Sequence, residues 1–399
     1  MEPPRLEKSY NQRTTRINRN IRERGGPIYL QTIPINKPII GNEELRAVAK
    51  VLRSGFLTDK TGSGPCVTRF ENAFSKYVGA RYAVAVNNGT SALHAALLAA
   101  GVSLGDEVIV PSLTFVATAE AVALTGATPV FVDIDPQSYC MAPLEVKGAI
   151  NARTKAIIPV HLFGLTADMD PIMELARDYG LLVIEDAAQA HGAEYNGRKA
   201  GALGDMACFS FYGSKNMTTG EGGMITTNSR EFVNDLGLIR NHGEEKYYQS
   251  VTLGHNYRMP ELEAAIGFEQ LHKLPRFIED RRRNAKTLLE AFDGLNKIQT
   301  PLIPEGYESA WYVFTLRLRG ANAAKRNKAL NRIRERRVGA QVYYPKPVHK
   351  MPFYQNSFGR TQLPKTETAA RQVISLPVHP SLSENDLKRV ISAVKDSVT

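Results

Sequence analysis

From about residue 80 to residue 227 the chain repeats one unit: a short apolar run rich in β-branched residues, then a helical stretch, then another such run. The runs are "YAVAV" (82–86), "EVIVPS" (107–112), "TPVFVDI" (128–134), "KAIIPVHLFG" (155–164), "LLVIED" (181–186), "ACFSF" (207–211) and "GGMITT" (222–227). Apolar runs of this length suit strands covered on both faces. Between the early ones lie "TSALHAALLAAG", "FVATAEAVALTG" and "DMDPIMELARDYG", each with a helical pattern. Parallel strands need crossover connections of this kind, because a tight turn cannot join them. The repeat therefore predicts an α/β fold, a large and mostly parallel seven-stranded sheet with helices on both sides. Only a loop joins the last two runs, so one strand is expected to run antiparallel.

After "NYRMPELEAAIGFEQLHKL" the pattern changes. Pro275 is read as the start of a long basic helix reaching about Phe292, and a small α+β domain follows. The expected organisation is a basic arm over residues 1–30, a large domain over 31–275 and a small C-terminal domain over 276–399. The formal net charge is +10. Residues 1 to 26 contribute seven Arg/Lys against three Glu, and residues 273 to 337 sixteen against seven acids. A basic surface favours anionic ligands such as nucleotides. Few aromatics are interleaved, so a base-stacking platform for nucleic acid is not indicated. The arm has no apolar periodicity and is expected to be poorly ordered. It has no secretory-signal core either, and nothing in the chain reaches membrane-span length. Cys66, Cys140 and Cys208 are scattered and odd in number, which indicates neither disulfides nor a metal cage. The expected location is a reducing cytoplasm, with no metal.

Three stretches carry chemistry. "NNGTSALHAALLAAG" opens a helix directly after a strand, and its free N–H groups with Thr90 and Ser91 make an anion site. A plain helix cap is the alternative there. "GLLVIEDAAQAHGA" ends a strand in Glu185-Asp186, where a carboxylate points into the ligand crevice of a doubly wound sheet. Gln189 follows one helical turn later. "FSFYGSKNMTTGEGG" puts Lys215 on a loop just past another strand. A lysine, a strand-end aspartate and a phosphate-holding helix start are the anchors pyridoxal 5′-phosphate requires. Phe115 of "PSLTFVAT" is placed to pack on its ring.

These stretches, with "SGFLT", "GDEVIVPSLTFVATAEAV", "FVDIDP", "HLFG", "RNHG", "NYRMPELEAAIG" and "SLPVHPSLSENDL", resemble the DegT/DnrJ/EryC1/StrS family of pyridoxal-phosphate-dependent sugar aminotransferases, in the family's order from about residue 33 to 395. The resemblance implies a fold type I, aspartate-aminotransferase-like transferase that moves an amino group, with L-glutamate the expected donor, onto a nucleotide-linked keto-sugar by way of a pyridoxamine 5′-phosphate form. It implies Lys215 as the Schiff-base lysine and Asp186 as the partner of the pyridine nitrogen. It implies Gln189 as the contact of the ring hydroxyl, Ser210, Thr90 and Ser91 as phosphate ligands, and Phe115 as the stacking residue. Asn256 is similar to a residue that reaches the neighbouring subunit's phosphate, which implies a homodimer with shared sites. Arg258 and His349 are expected at the sugar nucleotide. The chain departs from the family's pattern at "DKTGS" (59–63), an insertion expected beside the sugar. Two other readings stand beside this one. One is a sugar dehydratase of the same family, against which Lys215 argues, since such relatives have histidine there. The other is a metal-dependent glycosyltransferase using the Asp-x-Asp of "FVDID".

Overall fold

The computed structural model describes residues 32–398. The basic arm (1–30) lies outside the described residues. Seven strands form one sheet: β1 (Tyr82–Val86), β2 (Glu107–Pro111), β3 (Thr128–Val132), β4 (Thr154–Ile157), β5 (Leu182–Asp186), β6 (Met206–Ser210) and β7 (Gly223–Thr227), in the spatial order β1-β7-β6-β5-β4-β2-β3. Pairings among β2 to β6 are parallel. β7 is antiparallel to both its neighbours, with Tyr82 opposite Thr227 and Ser210 opposite Gly223. The apolar run at 155–164 yields a shorter strand than its composition predicts, because Pro159 cannot donate to a ladder and the chain turns into a 3₁₀ helix at Leu162–Gly164.

Alternation along each strand fills a core on either face. Val84, Val110, Ile184 and Cys208 point to the side covered by the helix Gly89–Ala99. Ala85, Ala207, Phe209 and Met224 point to the other, against the helix Pro65–Val78. Burial on both faces explains why the strands read as continuous apolar runs.

The helix Glu261–Phe292 passes through Pro275 without a break, so the start expected at that residue falls inside a single element. Leu271, Leu274, Phe277 and Ile278 are buried on both sides of the proline. That unbroken apolar stripe outweighs the one backbone hydrogen bond the proline forfeits. Beyond it, Ile298–Gln299, Phe314–Leu318 and Val373–Leu376 form a three-stranded antiparallel sheet. The helices Ala323–Glu335 and Glu384–Val398 contribute to the core beside that sheet. Among the described residues no helix is long and apolar enough to cross a membrane.

Candidate active site

A cavity of about 880 Å³ opens beside the ends of β5 and β6 and the start of the helix Gly89–Ala99. Seven of the ten site residues expected from the sequence line it: Thr90, Ser91, Phe115, Asp186, Gln189, Ser210 and Lys215. They come from separate parts of the chain, and the sheet order brings them together.

The two-residue period of β5 separates its terminal acids. Asp186 faces the cavity, where its Oδ2 accepts from the Thr118 hydroxyl at 2.7 Å and its Oδ1 from the Ala188 N–H at 3.2 Å. Thr118 spends its one proton on Asp186, so Thr114, 2.8 Å away, donates to Thr118 in turn. Glu185 points the other way and is sealed from solvent. Its Oε2 accepts from His161 Nε2 and the Gly201 N–H, its Oε1 from the Leu203 and Gly204 N–H groups, all at 2.8 Å. Burial alone pushes its carboxyl upward, but His161 and these amides hold it below the usual carboxylate range. Glu185 is a structural acid and Asp186 the one that faces the cavity.

At the helix start the cap is Asn88, whose Oδ1 accepts from the Ser91 N–H at 2.8 Å. The hydroxyls of Thr90 and Ser91 are thereby left to the cavity, and the N–H groups of Gly89 and Thr90 find no acceptor among the described residues. The turn lies tight against the sheet. A Cβ added at Gly89 would meet Ser210 Cβ at 2.7 Å, and one at Gly223 would meet the Asn88 carbonyl oxygen at 2.4 Å. Free amides, two helix-start hydroxyls and the Ser210 hydroxyl form a cradle for an anion.

Lys215 reaches the cavity from the loop after β6, its Nζ 5.0 Å from the ring centroid of Tyr312. Gln189 accepts from the Phe163 N–H at 2.9 Å and donates to the Tyr344 hydroxyl at 3.0 Å. The Phe115 ring is half exposed and tilted 41° against that of Tyr344. Tyr212, Tyr257, Tyr312, Tyr343 and Tyr344 also line the cavity. None was expected there, although "WYVF" and "VYYP" mark three of them in the sequence. His94 lines it too, 2.9 Å from the Tyr257 hydroxyl, and burial with the nearby His255 pulls its pKa down to about 4.

Three expected residues lie elsewhere. His349, expected at the sugar nucleotide, is 1% exposed, its Nδ1 2.6 Å from Ser112 Oγ and its Nε2 3.4 Å from Glu367. Both ring nitrogens are thus engaged, and His349 does not line the cavity. Asn256 is exposed and bridged to Asn241, while Arg258 donates to Asn241 Oδ1 at 2.7 Å; neither lines the cavity of its own chain. The inserted loop at 59–63 is also absent from the lining. Lys60 instead lies 3.3 and 3.4 Å over the rings of Tyr247 and Tyr248 and pairs with Glu244.

The residue pattern that defines the DegT/DnrJ/EryC1/StrS aminotransferase family matches residues 38–395. The chain belongs to the DegT/DnrJ/EryC1/StrS aminotransferase family. This aminotransferase is 41% identical to the GDP-perosamine synthase of Caulobacter vibrioides, over 83% of this chain and 90% of that one. It is 42% identical to the UDP-N-acetyl-3-dehydro-α-D-glucosamine 3-aminotransferase of Acidithiobacillus ferrooxidans, over 79% and 84%. DesV of S. venezuelae, solved in complex with a ketimine intermediate, superposes with a TM-score of 0.86 at 38% identity, covering 92% of this chain and 99% of that one. The aminotransferase has the fold type I architecture of these enzymes and depends on pyridoxal 5′-phosphate. Its cavity fits that cofactor: an anion cradle whose tightest point admits no Cβ, a carboxylate held by Thr118, and a lysine amine all open on one space.

Proposed function

We propose that Lys215 carries the cofactor's aldehyde carbon and afterwards moves the transferred proton. The observation that carries this reading is the single cavity shared by Lys215, Asp186 and the Gly89–Ser91 helix start. Bound pyridoxal 5′-phosphate supplies an electron sink for the charge that develops when the donor's α-proton leaves. The Lys215 Nζ takes that proton and returns it on the cofactor side, and the reverse sequence aminates the sugar ketone. Asp186 keeps the ring nitrogen protonated, with Thr118 fixing one carboxylate oxygen. Thr90, Ser91, Ser210 and the free helix-start amides bind the phosphate, and Phe115 flanks the ring. Gln189 has one N–H on Tyr344 and a second to give to the ring hydroxyl.

L-Glutamate is the proposed amino donor, and a homodimer the proposed assembly. Asn256 and Arg258 stand outside their own chain's cavity, and a second subunit gives them one to serve. A reducing cytoplasm suits three free thiols, two of them buried.

Borohydride reduction of the cofactor-loaded protein followed by peptide mapping is expected to place the label on Lys215. A label on any other lysine overturns the assignment. Mixing Lys215→Ala with Asn256→Ala subunits tests the shared site: heterodimers hold one intact site and regain part of the activity. No recovery despite demonstrated subunit exchange refutes the cross-subunit contact.

A further inference from the structure

Arg281, midway along the helix Glu261–Phe292, is only 2% exposed, and its hydrogen-bond acceptors are all neutral. It donates to the carbonyls of Trp311 and Tyr312 at 2.9 and 3.1 Å and to Asn36 Oδ1 at 3.1 Å. Burial pulls its pKa down to about 10, which leaves it charged at neutral pH. A buried cation matched only by neutral oxygens is costly to fold.

Two routes lead from this guanidinium to Lys215. One passes through Tyr312, whose carbonyl it holds and whose ring face lies 5.0 Å from the Lys215 Nζ. The other passes through Asn36, whose Nδ2 donates to the carbonyl of Ser214, the peptide that leads into Lys215. A 2.9 Å contact between Ser214 Oγ and the Tyr312 hydroxyl joins the two routes into a closed ring. Neither Arg281 nor Asn36 lines the cavity.

We infer that Arg281 and Asn36 are positioning residues, a clasp behind the site that fixes the Lys215 amine against the face of Tyr312. The inference rests on Lys215 being the cofactor lysine. The planar fork matters more than the charge, because only a guanidinium spans three acceptors at fixed angles.

Asn36→Ala and Arg281→Lys both keep the charge and break the clasp. The first readout is the pH midpoint of the bound cofactor's absorption change, which follows the proton on the nitrogen linking it to Lys215. A loosened aromatic face stabilises positive charge there less well, so the midpoint is expected to fall by about half a pH unit or more in both variants. The rate of the half-reaction with L-glutamate is expected to drop about tenfold, with the donor KM within about twofold of the parent. The double variant is expected to be no slower than the worse single one, since both cut the same ring of contacts. If Arg281→Lys does not fold, Asn36→Ala alone decides. An unchanged midpoint and rate in Asn36→Ala overturn the clasp, as do additive losses in the double variant. Borohydride mapping separates the two ideas: a label on another lysine removes the premise, whereas a label on Lys215 with an unmoved midpoint and rate removes the clasp alone.

Discussion

Replacing Glu185 tests how far one buried carboxylate holds up the floor of the site. Four donors converge on it at 2.8 Å: His161 Nε2 and the N–H groups of Gly201, Leu203 and Gly204. Glu185→Gln keeps one oxygen, which can still serve Leu203 and Gly204. Its amide nitrogen then faces two donors. His161 could meet it by moving its proton to Nδ1, but Nδ1 already accepts the Ala167 N–H at 3.0 Å. Whichever tautomer forms, four buried N–H groups go unsatisfied once the amide's own are counted, at about 1–3 kcal/mol each, so the variant should lose about 4 kcal/mol or more. Glu185→Ala strands all four donors, softened by any water that enters, and should lose about 4 kcal/mol or more. Either is a large share of a stability of about 5–15 kcal/mol. Urea unfolding at pH 7 measures both. A Glu185→Gln protein within about 0.5 kcal/mol of the parent would refute this donor accounting.

Gly89→Ala should weaken cofactor binding about tenfold or more and cost about 1–3 kcal/mol of stability, because its Cβ would meet Ser210 Cβ at 2.7 Å; titration of the apoprotein with pyridoxal 5′-phosphate measures the binding. Burial and the nearby Glu221 push the Glu263 carboxyl up to about 7. Below about pH 4.5 the folded and unfolded chains both hold this proton; above that the unfolded chain ionises first, and stability falls as pH rises through 7. Glu263→Gln should therefore match the parent at pH 4 and exceed it at pH 8 by about 1–2 kcal/mol, after discounting for partial exposure. Equal melting shifts at both pH values would contradict that.

Much of the sheet was legible because burial on both faces leaves a strong local mark. Each of the seven apolar runs overlaps a strand, and the helix-free link before "GGMITT" marked the antiparallel one. Lys215, Asp186 and the Thr90–Ser91 turn were legible for a related reason, since each follows a strand end that the local pattern reveals. Other features depend on contacts distant in sequence. The cap at Asn88 was missed because the hydroxyls beside it looked equally able to cap. Tyr312 and Tyr344 enter the cavity only through the packing of the C-terminal segment, so no local period announces them. The burial of His349 was hidden too: a histidine beside a tyrosine pair looked open to a ligand, yet Ser112, 237 positions away, takes its Nδ1. Pro275 read as a helix start because propensity is local, while the stripe that carries the helix through it is set by tertiary contacts.

The antiparallel strand β7 has a consequence for the order in which the protein is made. β1 pairs with β7 alone, Tyr82 against Thr227, and β7 in turn needs β6 on its other side. On the ribosome, β1 therefore waits without its pairing partner until residues 223–227 have emerged, a delay of roughly ten seconds or more at 5–20 residues per second. The Asn88–Gly89 turn follows β1 directly and is wedged against Gly223 and Ser210, so the anion cradle closes at the same late moment. Meanwhile β2 to β5 can already pair with one another. The nascent chain thus exposes an unpaired apolar strand for most of the synthesis of its sheet, and the arrival of β7 both removes that aggregation hazard and completes the phosphate end of the site.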